Sequence, residues 1–137
     1  MVNWSSVENR AFGEEYFRDR IAYAETIESR KYIDLDPSDL SENCVFAIVR
    51  LAEDAGPMPP ASWTNTGSWT ASPLPDGARN DLGLPELCMP YWSSETTRRV
   101  MTAVGSPGSF IAQPDENTVL IYSPVEHLAA MVALAFD

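Results

Sequence analysis

With 137 residues, 45% of them hydrophobic and 21% charged, the chain is long enough for one domain over residues 1–137 and too apolar for wholesale disorder. Twenty acidic residues against nine basic ones give a net charge of −11, which argues against nucleic acid, anionic membrane or any other polyanion as a partner. One histidine and two cysteines leave little for the usual catalytic and metal-binding constellations.

In chain order, Ser5 and Glu8 have the spacing of a capping box. Phe12, Tyr16, Phe17, Ile21, Ala24 and Ile27 follow at helical spacing, which predicts a helix over about 6–29, weakened by Gly13. Tyr32 to Leu35 alternates too briefly for more than a short strand. A second helix is predicted from Asp36 as cap, Pro37 in the first turn and Asp39 near the positive end of the dipole. Leu40, Cys44, Ala47, Ile48 and Leu51 would form its apolar stripe. The run Cys44–Leu51 also fits a buried strand, and the cap is what favours helix. Ala55-Gly56-Pro57 ends the segment.

Residues 57–92 hold seven of the eleven prolines and three of the four tryptophans, Trp63, Trp69 and Trp92. Neither a helix nor a central strand tolerates that proline density, so this is a long connection, partly stranded around 67–72 or else functional. Ser94 then precedes a helix from Glu95 to Val104 that Gly105 ends. Ser109–Gln113 and Thr118–Tyr122 read as short strands about a turn at Pro114-Asp115-Glu116-Asn117. Ser123-Pro124-Val125-Glu126 combines a capping box with proline in the first turn, which predicts a last helix, apolar almost all round, reaching Phe136. The resulting expectation is an α+β fold: helices packed on a small mainly antiparallel sheet, with a long Pro/Trp-rich connection.

The opening Met1-Val2-Asn3-Trp4-Ser5 has neither the basic nor the apolar region of a signal peptide. Val125–Phe136 carries Glu126 and His127 and is shorter than the ~20 residues a membrane helix needs. A cytoplasmic chain is expected, with Cys44 and Cys88 reduced; a disulfide in an exported protein is the alternative. Eight arginines against one lysine read as the codon usage of a GC-rich bacterial genome rather than as adaptation to salt.

Catalytic and metal motifs fail on inspection. Asp34, Asp36 and Ser38 occupy the first, third and fifth places of a calcium loop, but Asp39 stands where glycine is required and Val45 where the bidentate glutamate belongs. Gly105-Ser106-Pro107-Gly108-Ser109 lacks the spacing of a nucleophile turn, and His127 is the sole histidine that could serve it. Cys44, Cys88 and His127 form no close-spaced ligand pair for zinc. No glycine-rich phosphate loop occurs, and the arginines have acids beside them. No enzyme activity, cofactor or metal is expected.

Trp63 and Trp69, flanked by small polar residues, are better placed for exposure than Trp92. They either pack the connection onto a core or anchor a recognition loop. The functional expectation is a small acidic protein-binding domain of the inhibitor or immunity-protein type. It would neutralise a basic protein partner, such as a toxin nuclease, through Asp34, Asp36, Asp39 and Glu42 with Trp63 or Trp69. The alternatives are a homo-oligomeric structural or assembly protein (a phage component or secretion adaptor) and a small carboxylate-dependent enzyme.

Overall fold

The computed structural model describes residues 14, 16–18, 20–30, 44–60, 63, 69–72, 92–115 and 118–134. Their strands are β1 (Tyr23–Arg30), β2 (Cys44–Leu51), β3 (Thr70–Ala71), β4 (Phe110–Asp115), β5 (Thr118–Ser123) and β6 (Leu128–Leu134). One helix, α1 (Ser94–Gly105), lies between β3 and β4. The strands form a single sheet in the order β1-β2-β6-β5-β4-β3, and every neighbouring pair is antiparallel.

This corrects the expectation of helices packed on a small sheet. The architecture is mostly antiparallel sheet with one short helix, and three segments expected as helix are strands. Each reversal has an identifiable cause. In β1 the pairing with β2 slips twice, so Tyr23, Thr26 and Ser29 pair with Leu51, Val49 and Ala47. These three partners alternate along β2 and lie on one face. Two bulges thus convert the strand period of two into a spacing of three, which imitates a helix. In β2, a run rich in valine, isoleucine and phenylalanine prefers the pleated sheet, and both its faces are covered. Residues 36–43, which carry the expected cap, lie outside the described residues.

The third reversal is β6. The Ser123 hydroxyl accepts the Glu126 N–H at 3.2 Å, which is the bond expected of a helix cap. His127 then turns to φ 56°, in the left-handed region, and the chain doubles back as a hairpin. Ser123 pairs with Leu128 and Thr118 with Ala133 along that hairpin. The all-round apolar pattern after His127 is that of a strand buried on both faces.

Other expectations hold. Helix α1 runs to Gly105, and its cap is Ser93, one residue before the expected Ser94. Ser93 Oγ accepts the Thr96 N–H at 3.1 Å. The β4–β5 pairing brings together the two strands expected around 109–122, and β3 falls within 67–72.

Each face of the sheet is covered by its own layer. On one, Phe46, Ile48, Ile121, Leu128 and Val132 of the sheet meet Val100, Ala103 and Val104 of α1. Trp92 closes that layer edge-on to Phe46, with ring centroids 5.9 Å apart. On the other, the sheet offers small and large residues together, from Ala47, Ala112 and Ala129 to Leu120, Tyr122 and Met131, and the covering chain adds Phe17, Ile21 and Trp63.

Buried serines stitch the far edge. Ser72 Oγ accepts the Ser109 N–H at 2.9 Å and donates to the Ser106 carbonyl, and Ser109 Oγ lies 2.8 Å from Ser123 Oγ. Gly108, at φ 99°, sits where an added Cβ would come within 2.8 Å of Val125 Cγ1, so this turn packs closely on the β5–β6 loop.

Candidate functional site

Strand β1 is an edge of the sheet and borders an acidic groove. A groove of about 540 Å³ is lined by Glu14, Tyr23, Ala24, Glu25 and Thr26. Glu14 comes from the helical turn before β1, and the Tyr23 hydroxyl donates weakly to its carbonyl at 3.4 Å. Glu25 faces Arg50 across the β1–β2 pair, with Nε 3.0 Å from Oε1 and both side chains well exposed. Exposed pairs of this kind contribute little to stability. Glu14, the groove's other carboxylate, is exposed and has no ion pair among the described residues. Thr26 Oγ1 is buried and has no hydrogen-bond partner among the described residues. The groove thus presents carboxylates and an unsatisfied hydroxyl beside an edge strand that two bulges deform.

Glu28, further along β1, does a different job. Its carboxylate accepts the Ser93 N–H at 3.1 and 3.3 Å, in front of the first turn of α1. A negative charge there complements the positive end of the helix dipole. It ties the edge strand to the helix that covers the opposite layer.

The residues expected to bind a partner divide into two groups. Asp34, Asp36, Asp39 and Glu42 lie outside the described residues, in the connection between β1 and β2. Trp63 and Trp69 are described, and they do not stand out from the surface. Trp63 is 6% exposed, no more than Trp92 at 7%, because it sits at the centre of an aromatic cluster. Its centroid lies 5.2 Å from both Phe17 and Trp69 and 6.5 Å from Tyr122. Its indole N–H donates to the Tyr16 hydroxyl at 3.0 Å. Burial raises the Tyr16 phenol above its ordinary value, with that hydrogen bond and Arg20 acting the other way. Trp69 is half-buried against Trp63. Packing within this cluster accounts for both tryptophans.

Sequence reasoning did not single out Glu14, Glu25 or Thr26. They are brought together by strand pairing that a helix over 6–29 would forbid, and the signal that could have shown it was the β-branched run facing them in β2. His127 is exposed in the β5–β6 loop rather than within a helix, and its carbonyl accepts the Leu51 N–H at 2.9 Å. Among the described residues, no three His, Cys, Asp or Glu side chains gather where they could hold a metal, and no helix is long and apolar enough to cross a membrane. No protein-family model matches the chain, and neither a curated protein nor a solved structure is significantly similar to it.

Proposed function

We propose that this chain is a small acidic binding domain that docks a basic protein partner along β1, in the manner of an inhibitor or immunity protein acting in the cytoplasm. The observation that carries the reading is the placement of charge. A chain of net charge −11 sets Glu14 and Glu25 over a groove at a sheet edge. The further acids Asp34, Asp36, Asp39 and Glu42 belong to the connection that starts where β1 ends. Attraction between this edge and a cationic surface speeds encounter and rejects anionic competitors. An edge strand also offers backbone groups to an extended partner segment.

The test is recovery of the partner from the native host with tagged full-length protein, followed by binding kinetics on the purified pair. The expected partner is basic, and its association rate falls at least tenfold between low and high ionic strength. Replacing Glu14 and Glu25 together by glutamine should slow association without unfolding the chain. Association indifferent to salt and to that double change would overturn the reading. Recovery of nothing but further copies of the chain, in a defined oligomer by light scattering, would replace it with an assembly role.

A further inference from the structure

A second cavity has the opposite electrostatic character. It encloses about 400 Å³ where the turn after Phe17 meets the loop that follows β2, and its walls include Arg18, Arg20, Asp54, Met58, Pro60 and Tyr122. Two guanidinium groups and one carboxylate line it, in a chain whose acids outnumber its bases by more than two to one. The two arginines are differently prepared. Arg20 is held in place: Nη1 donates to the Tyr16 carbonyl, and the guanidinium carbon lies 4.4 Å from the centre of the Tyr16 ring. Arg18 is exposed and has no hydrogen bond or ion pair among the described residues.

The remaining walls are apolar. Ile21 and Ala55 line the cavity beside the Tyr122 ring, and Met58, 60% exposed, has one of the most solvent-accessible large apolar side chains described. The Tyr122 hydroxyl donates to the Gly56 carbonyl at 2.5 Å, which fixes the loop against β5 and keeps the cavity's shape. An exposed methionine beside an apolar wall gains by being covered. A guanidinium with unused donors matches a carboxylate in two parallel hydrogen bonds. The volume is that of a small-molecule site.

We propose that this cavity binds a small organic carboxylate with an apolar, ring-sized body, its carboxylate on Arg18 with support from Arg20 and its body between Tyr122 and Met58. The site is separate in charge and lining from the acidic groove and does not depend on partner docking.

The test is an amide NMR titration of the full chain with phenylacetate, with acetate and phenylacetamide as probes lacking the ring and the charge. Saturable shifts are expected from phenylacetate, centred on Ala22, Ala55 and Gly56. Both control probes should bind at least tenfold more weakly. Arg18→Gln should weaken phenylacetate at least tenfold, because the charge and the paired hydrogen bonds are lost together, while Arg50→Gln on β2 leaves it unchanged. Met58→Ser should weaken phenylacetate and leave acetate alone, a readout that a general loss of positive charge would not give. Absence of saturable shifts in the millimolar range, equal binding of phenylacetamide or acetate, or indifference to Arg18→Gln would each overturn the assignment.

Discussion

The two faces of the sheet solve the same burial problem with different materials. The α1 face is covered by a capped, regular helix that satisfies its own backbone, and the packing beneath it is aliphatic apart from Phe46 and Trp92. The opposite face is covered by irregular chain from before β1 and after β2, and its packing depends on aromatic rings whose polar tips must each find a partner. Trp63 finds Tyr16, and Tyr122 finds Gly56. The arginine-lined cavity opens among the residues of this irregular cover, and the acidic groove lies along β1 with Glu14 of the turn before it. The difference teaches that in this molecule the regular layer supplies stability and the irregular layer supplies access.

Deleting the central ring of each layer tests that division most severely. Phe46→Ala and Trp63→Ala each remove a nearly inaccessible aromatic side chain, so each should cost about 3–5 kcal/mol. The character of the loss should differ. Phe46→Ala lowers the midpoint of one cooperative denaturant transition, because Phe46 lies under α1 and beside Val132 in the centre of the sheet. Trp63→Ala should in addition let the covering chain at 57–60 open on its own, seen as faster hydrogen exchange and protease cleavage there while α1 stays protected. Equal protection of the two layers in both variants would remove the distinction.

How much of this was legible follows the same line. Helix α1 and the β4–β5 pair carry their instructions locally: a serine cap, a terminal glycine, two apolar runs close in sequence, although Pro114 and Asp115, expected in the turn, belong to β4. They appear at nearly the positions their residues predict. Strands β1, β2 and β6 were misread because what decides them is not local. Ala24 and Ile27, which continue the apparent helical stripe, fall at the two slips of register against β2, so their spacing of three is the spacing of the bulges. The Ser123–Glu126 bond forms as a cap would, and the single turn of His127 into the left-handed region makes it a hairpin instead. The acidic groove and the arginine cavity were invisible for the same reason. The cavity joins residues as far apart as Arg18 and Tyr122, the groove exists only once residues 23–26 are strand rather than helix, and in sequence Arg18 and Arg20 look neutralised by the acids beside them.

Alkaline pH should sharpen the contrast, with a smaller effect. Burial raises the phenols of both Tyr16 and Tyr122 above their ordinary value of 10.0, and both belong to the irregular face. Between the ordinary and the raised value the unfolded chain has released protons that the folded chain still holds. Stability is therefore complete below about pH 10 and falls as the pH climbs through and beyond that point. Thermal melts followed by tryptophan fluorescence should show the midpoint dropping over this range. Tyr122→Phe should flatten the drop at the cost of the Gly56 hydrogen bond. An unchanged slope in that variant would assign the alkaline loss to other groups.

The smallest expected effect lies on the regular face and asks whether the two layers are coupled at all. Glu28 belongs to the edge strand that borders the acidic groove, yet its carboxylate accepts the N–H of the residue that caps α1. Glu28→Gln keeps an acceptor and removes the charge, so the loss should be about 0.5–1 kcal/mol at low salt and shrink as salt screens the helix end. The same change subtracts one of the acids on β1 without touching the groove's own walls. If β1 is held in shape partly through this bond, the variant should exchange its β1 amides faster as well as fraying the first turn of α1. Fraying of α1 alone would mean that the edge strand owes its form to its pairing with β2, and that docking on β1 would leave the helix layer undisturbed.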